Sequence, residues 1–368
     1  MNVLHINCNY IGNHVHRNMI EALSKNSNIN NKVFVPVYKI PKDEYKDNVK
    51  ISKCFKKWDR ISFYYKTDKI QKNILNSYNF ENIDIIHAYT LFTDGNIAYE
   101  LNKRFDIPYV VTIRNTDLND FFRYRPYLKK RGIEILKKAD AIIFLSKVYE
   151  ESLFTKYLSM DLKSKLQNKI YILPNGIDDF WINNKYLKNK DIDKTLNIIY
   201  AGRIDKNKNI FSTQKALNIL REEGFNIKYT IVGKIVDKRI YNKVIKDKNT
   251  KYVQSMPKEE LINLYRDNDI FVMPSFTETF GMVYIEAMSQ GLPVIYTKGQ
   301  GFDGQFDDGE VGYSVNEKSP EDISNKILKI IANYENISIN CEKNCIKFNW
   351  NDICEKYYNI YSKILKNN

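Results

Sequence analysis

Long apolar runs are missing from this chain: none of its 368 residues falls in a stretch approaching the ~18 to 20 apolar residues that cross a bilayer. The opening MNVLHINCNY has neither the basic start nor the apolar stretch of a signal peptide, and reads as a first strand. Cysteine is scarce and scattered: Cys8, Cys54, Cys341, Cys345 and Cys354, an odd number without a framework, suit a reducing compartment. Cys341 and Cys345 are one helical turn apart, but with no histidine nearby and no second pair they read as a helix face, and no metal site is expected. A clustered basic tract is also absent. The net charge of +13 is spread along the chain, which argues against a nucleic-acid arm and leaves polyanions, anionic membrane surfaces and nucleotides as classes of partner. There is no repeat of fixed period. Together these absences predict a cytoplasmic protein, soluble or peripheral at an anionic membrane surface.

What is present is alternation. Short apolar runs at Val3–Ile6, Lys32–Val37, Ile83–His87, Tyr109–Ile113, Ala141–Leu145 and Ile170–Leu173 alternate with helical patterns such as Val15–Lys25, Asp94–Phe105 and Val148–Tyr157. That rhythm implies parallel sheets covered by helices. Residues 39–67 are polar, aromatic and irregular. From Trp181 to Thr195 the chain turns polar and aperiodic, and the alternation then restarts at Leu196–Tyr200, Lys228–Val232, Tyr252–Val253, Ile270–Met273 and Val294–Tyr296. The chain is long for one core. It divides as residues 1–185 and 186–350, each a Rossmann-like α/β domain, with 351–368 a final helix returning to the first.

The stretch Asp269–Tyr296, DIFVMPSFTETFGMVYIEAMSQGLPVIY, is a strand, a polar loop, a mostly apolar helix and a second strand, the unit at which doubly wound folds bind ligands. Glu278 lies in the loop and Glu286 in the helix. A carboxylate there needs a partner: either a neighbouring Lys or Arg, or a ligand offering hydroxyls. The backbone of Thr279, Phe280 and Gly281 offers N–H groups at the helix start to a phosphate or sugar oxygen. In AGRIDKNKNI, Gly202, Arg203 and Lys208 follow a strand. Two cations there suit a diphosphate, each meeting oxygens that grow more negative as a sugar leaves, or else are solvated basic residues. Asp191 and Asp193 have metal-pair spacing but no preceding strand, and are discounted.

The setting E-T-F-G-x-x-x-x-E-A-M-x-x-G-L-P-V-I around Glu278 and Glu286 closely resembles the E-x(7)-E motif of retaining glycosyltransferases of family 4, and G-R-x-x-x-x-K with Arg203 and Lys208 resembles that family's phosphate-holding segment. The resemblance implies a GT-B fold, two Rossmann-like domains with parallel sheets facing a central cleft. It implies a retaining, metal-independent transfer from a nucleotide-sugar donor, UDP-sugar first, to a glycan or lipid-linked hydroxyl, as in surface-polysaccharide synthesis, with no cofactor and no nucleic-acid partner. Glu286 would hold the ribose and Glu278 the donor sugar, and Gly233 would lie near the base. Gly12 alone is retained from a glycine-rich loop whose usual double glycine is missing, and His87 at a strand end is a candidate acceptor contact. VVTIRNTD matches the family's V-V-T-x-H-G-x-D with Arg114 replacing the histidine and Asn115 the glycine, while Asp117 is retained. Arginine is no base at neutral pH. Arg114 and Asp117 therefore either serve the acceptor side, with Arg114 holding an anionic group, or pair with each other across a turn. ILPNGID, before the crossover into the second half, shapes the site floor. GQGFDGQFDDG (299–309) reads as a mobile glycine-rich loop that could close on the donor, or as a plain connector. A non-catalytic nucleotide-sugar or polyanion-binding protein, and a GT-B-like sugar-nucleotide epimerase, are the rival readings.

Overall fold

The computed structural model describes residues 1–12, 14–187 and 195–367, so Asp191 and Asp193 lie outside the described residues. The chain forms two compact units: residues 1–176 with 350–368, and residues 177–349. The division comes at Gly176/Ile177, ahead of the predicted 185/186. The residues just past it are not loose chain, because Asp179–Asn183 is a short helix whose Trp181, 2% exposed, packs against Tyr265 at 5.6 Å between ring centres.

The first unit is a seven-stranded, wholly parallel sheet of β1 (Asn2–Ile6), β2 (Asn30–Val37), β3 (Val49–Lys53), β4 (Ile85–Ala88), β5 (Tyr109–Ile113), β6 (Ala141–Phe144) and β7 (Ile170–Ile172), in the order β3-β2-β1-β4-β5-β6-β7. Successive residues of a strand face opposite ways, and the core obeys this residue by residue. Leu4, Ile6, Phe34, Ile86, Val111 and Ile142 pack on one face with helices Phe63–Leu75, Thr93–Phe105 and Lys129–Lys138. Val3, Val33, Val35, Ile85, Val110 and Ile143 pack on the other, with helices His14–Leu23 and Trp350–Asn367. Both faces are covered, so the strands read as continuous apolar runs. The chain enters Trp350 beside Gly176, where any Cβ would collide with the Trp350 ring.

The second unit is a six-stranded parallel sheet: β8 (Thr195–Ala201), β9 (Asn226–Val232), β10 (Thr250–Val253), β11 (Ile270–Val272), β12 (Val294–Thr297) and β13 (Gly312–Val315), in the order β10-β9-β8-β11-β12-β13. In both units the strand order reverses beside the first strand, at β1/β4 and at β8/β11. That reversal opens a crevice at the strands' carboxyl ends.

Two strands escape the sequence pattern, and both are edges. β3, VKISK, lies inside the stretch that reads as irregular and has no fully buried residue. An edge strand packs on few neighbours and tolerates lysines, so its apolar signal is weak. β13, GYSV, is similar, with its two central residues half-buried. No helix among the described residues is long and apolar enough to cross a membrane.

Candidate functional site

In the second unit Gly202, Gly233, Arg203, Lys208 and Glu278 gather at the carboxyl ends of β8, β9 and β11, while Glu286, on the helix that follows, has Tyr265, Asp178 and Lys258 as neighbours. β8 ends at Gly202, whose N–H donates to the Val232 carbonyl at 2.9 Å. Gly233, after β9, sits so close to Gly202 that a Cβ would strike the Gly202 carbonyl oxygen, and it holds a φ of +147°. Gly233 is thus explained by two backbones in contact, and Gly202, at φ +155°, by the Tyr200 hydroxyl that a Cβ there would meet. Beyond them Asp205 caps a tight turn, Lys206–Lys208, by accepting from the Lys208 N–H at 3.2 Å. Asp205 also pairs with Arg203 at 3.3 Å, while the Arg203 side chain stays 65% exposed. Lys208 turns inward: its Nζ lies 2.5 Å from Oε2 of Glu278, both side chains being largely buried at 13% and 15% exposure.

Two asparagines that the sequence pattern does not single out bind these loops together. Asn207 accepts from the N–H and hydroxyl of Thr277 (3.0 and 2.7 Å) and donates to the Thr277 carbonyl at 2.8 Å. Asn209, left-handed at φ +51°, donates to the carbonyls of Pro274 (3.0 Å) and Glu317 (2.6 Å). The alternation K-N-K-N around Lys208 is the only trace of them in the sequence.

The polar part of the loop after β11 begins with Ser275, and Glu278 is held from three directions. Lys208 takes its carboxylate, its N–H donates to Gln300 Oε1 at 2.9 Å, and its carbonyl accepts from Gly301 at 3.3 Å. The Thr279 N–H is not open to a ligand, for it donates to the Glu278 carboxylate at 3.1 Å. The N–H groups of Phe280 and Gly281 have no partner among the described residues. Gly281, at φ +80°, leads into the helix Met282–Met288.

Glu286 is half-buried on that helix, and no described cation forms an ion pair with it. The nearby Lys258 is taken by Asp178 at 2.5 Å. Burial first, then the Asp178 charge, push the Glu286 carboxyl from 4.5 up to about 7, against the pull of Lys258 and the Tyr265 hydroxyl. The buried Tyr265 hydroxyl faces the Glu286 carboxyl but makes no hydrogen bond of ordinary geometry. Asp178 of the PNGID segment, expected from the sequence only to shape the floor, thus belongs to the surroundings of Glu286.

The segment 299–309 is anchored to the core through Phe302. Phe302 is 1% exposed and packs on Tyr284 and Tyr296, with 4.9 Å between ring centres in each case. A Cβ on Gly301 would run into the Thr279 carbonyl. The glycines let this segment pass beneath the Glu278 loop. An open depression of about 580 Å³ beside these turns is lined by Asp205, Lys206, Asn207 and residues 236–239.

The first unit's flagged residues are placed differently. His87 is fully buried, its ring nitrogens paired with the Tyr361 hydroxyl (2.7 Å) and Thr112 Oγ1 (2.8 Å). Burial first, then the neighbouring His5, Arg114 and His16, hold its pKa well below the usual range, so it is a neutral core residue and not the acceptor contact the sequence suggests. Asp117 is also fully buried and receives the backbone N–H groups of Leu91 (3.1 Å), Phe92 (3.4 Å) and Arg114 (2.9 Å). Burial pushes it up to about 6 in spite of those bonds.

Of the two alternatives for Arg114, the side-chain pair with Asp117 does not form. The Arg114 guanidinium reaches instead to the Tyr89 carbonyl (3.4 Å) and Asn175 Oδ1 (3.2 Å) and is 6% exposed. Gly12 is exposed at φ +73° with nothing within 4 Å of a hypothetical Cβ, so backbone conformation alone accounts for it. Sequence reasoning missed Asp94 here: fully buried, bonded to the Cys8 N–H at 3.2 Å, and pushed up by burial to about 7. No group of three or more His, Cys, Asp or Glu able to hold a metal occurs among the described residues.

Two family models together match most of the chain: Glycosyltransferase Family 4 over residues 13–179 and Glycosyl transferases group 1 over residues 183–348. The chain is 28% identical over 322 residues to the glycosyltransferase MJ1178 of Methanocaldococcus jannaschii, covering 84% of this chain and 83% of that one. It is 31% identical over 235 residues to the capsular polysaccharide biosynthesis glycosyltransferase CapM of Staphylococcus aureus, covering 59% and 60%. Among solved structures it resembles Anabaena HepE in complex with UDP, with a TM-score of 0.70 at 14% identity over 99% of this chain and 100% of that one. A likeness at that identity speaks for the fold, two Rossmann-like halves of the GT-B type.

Proposed function

The chain belongs to the glycosyltransferases of family 4 and group 1, and from that premise we propose that it moves a sugar, with retention at the anomeric carbon, from a UDP-sugar to a hydroxyl of a glycan or lipid-linked acceptor in surface-polysaccharide assembly. The observation that carries this reading is the arrangement on one sheet edge: Lys208 on Glu278 at 2.5 Å, exposed Arg203, and Glu286 without an ion-pair partner among the described residues. A carboxylate pushed up to about 7 by burial is relieved by a ligand that donates to it, and a ribose supplies two hydroxyls. CapM's role in capsular polysaccharide biosynthesis and HepE's binding of UDP support the pathway and the donor.

In the transfer, the bond from the anomeric carbon to the diphosphate breaks and a bond to the acceptor oxygen forms. Arg203, tied only to Asp205, swings to the diphosphate, and Lys208 exchanges Glu278 for a phosphate oxygen. Both then oppose charge that grows as the sugar leaves. Glu278, released from Lys208, turns to the sugar hydroxyls, beside the open N–H groups of Phe280 and Gly281. The acceptor's proton needs a base. Arg114 cannot take it, His87 is sealed in the core, and the Asp117 oxygens hold three backbone donors. That leaves the departing diphosphate oxygen, which gains basicity as the sugar bond breaks. No metal is required by this scheme. A lipid-linked acceptor would bring the protein to the inner face of the membrane as a peripheral enzyme.

The test is a thermal-shift screen against UDP, GDP, ADP and their sugars, followed by product formation from the labelled donor that stabilises most. UDP is expected to raise the melting temperature and Glu286→Gln to abolish most of that rise. Stabilisation by ADP or GDP alone refutes the donor, and a nucleotide response unchanged in Glu286→Gln refutes the ribose assignment.

A further inference from the structure

We propose that residues 56–66 and 121–131 of the first unit form a face that docks on an anionic lipid bilayer, with its aromatic and aliphatic side chains entering the headgroup region. This specifies the membrane part of the reading above and is independent of the sugar-transfer part.

Single exposed apolar residues are ordinary on a protein surface; a cluster flanked by charge of one sign is not. Trp58 and Ile61 stand out in solvent at 77% and 78% exposure, with Tyr65 at 54%, Tyr124 at 66% and Tyr127 at 60%. They come from the tight turn Lys57–Ile61, the start of helix Phe63–Leu75, and the turn Pro126–Leu128 with Tyr124 two residues before it. Buried Phe63 fastens the two segments together by meeting Phe121 edge-on, 6.1 Å between ring centres. Phe121 in turn lies under the Arg125 guanidinium at 4.8 Å.

The charge is one-sided. Residues 56–66, KKWDRISFYYK, carry four cations and one carboxylate, and residues 121–131, FFRYRPYLKKR, carry five cations and none. The one carboxylate, Asp59, is tied to Lys69 at 2.8 Å, while Arg60, Arg123, Lys129 and Lys130 are exposed. Trp and Tyr carry an apolar body with a polar tip and settle at the level of lipid headgroups. Lysine and arginine around them meet anionic phosphates, and their stems lie on the apolar layer. Arg131 is spent on Glu100 and Glu134, and Lys66 donates inward to Thr93, which leaves Lys56, Lys57, Arg60, Arg123, Lys129 and Lys130 exposed. A protein partner able to match six such cations would have to be strongly acidic, whereas an anionic bilayer presents that charge everywhere.

The full chain carries its own reporter, because Trp181 and Trp350 are 2% and 3% exposed and only Trp58 faces solvent. Phosphatidylcholine vesicles with and without phosphatidylglycerol are titrated in while tryptophan emission and co-sedimentation are followed. Binding confined to the anionic vesicles, a blue shift, and quenching by brominated acyl chains are expected, all weakened by salt. Trp58→Ala with Ile61→Ala should lower the binding constant about tenfold or more, and Arg60→Glu or Lys129→Glu about fivefold or more for each charge removed. Melting temperature and nucleotide response should be unchanged in every variant. Equal binding to neutral vesicles, an unmoved emission maximum, or variants that sediment like the parent would overturn the proposal. So would a dimer that Trp58→Ala with Ile61→Ala dissolves in a protein that ignores vesicles, since the face would then belong to a second copy. A failed transfer assay leaves this proposal standing, and failed vesicle binding leaves the transfer reading standing.

Discussion

The two sheets end in similar crevices but treat their polar side chains in opposite ways. At the first sheet, His87, Asp117 and Arg114 are consumed by the protein: each is buried and bonded to core hydroxyls, backbone N–H groups or a backbone carbonyl. At the second, Arg203 is mostly solvated, Lys208 and Glu278 pair with each other at the mouth of the loop, and Glu286 has no ion pair among the described residues. The difference separates residues that build a crevice from residues that work in it. A buried acid that collects backbone donors is a staple, and removing it costs stability. An acid lifted by burial and left without a cation is waiting for a donor group.

The sharpest way to break this contrast is Lys208→Ala. Turnover should fall by about two to three orders of magnitude, as for loss of one group that stabilises a leaving oxyanion, in a protein that still folds, though less stable because the Glu278 carboxylate loses its cation; near-parental turnover would put Lys208 among the structural residues. Next, Asp117→Ala removes the acceptor of three buried N–H groups and should destabilise the first unit by on the order of 3 kcal/mol. Denaturant unfolding followed by a probe in each unit checks it, and a loss confined to kinetics would reverse the assignment.

Glu286→Gln tests the electrostatics by its pH dependence. The folded protein retains this proton up to about pH 7, while the unfolded chain releases it near 4.5. The group's contribution to stability is therefore complete below pH 4.5 and lost as pH rises through 7. The variant should gain on the parent by on the order of 2 kcal/mol between pH 5 and pH 8, and parallel melting curves across that range would show that Glu286 is already paired. The smallest effect is expected of His87→Phe, which strands the hydroxyls of Thr112 and Tyr361. It should cost about 1 to 2 kcal/mol while leaving the nucleotide response untouched, and a lost response would return His87 to the site.

Much of this was legible in the chain. β5 runs from Tyr109 to Ile113 as its apolar pattern predicts, and most other central strands agree within two residues, because a strand covered on both faces must be apolar throughout. The edges β3 and β13 were not, since half-solvated strands share their composition with loops. In the second unit Lys208 and Glu278 do come together, beside a Gly233 whose position follows from backbone contact with Gly202, whereas Glu286 meets Tyr265, Asp178 and Lys258 instead. In the first they were misjudged for one reason. A polar residue at a strand's carboxyl end looks alike in sequence whether it faces a ligand or a neighbouring hydroxyl, and Tyr361, which occupies His87, lies 274 residues away.

By itself, the amino-acid order determined the alternation of strand and helix, the two-part division and the chemical types gathered at the second sheet's edge, since periodicity and turn chemistry are local. Only the tertiary structure decided which of those groups are spent: that Lys208 meets Glu278, that Asp178 rather than Glu286 takes Lys258, and that His87 and Asp117 are sealed. Burial and pairing depend on what distant segments bring to the same point, and no local pattern encodes that.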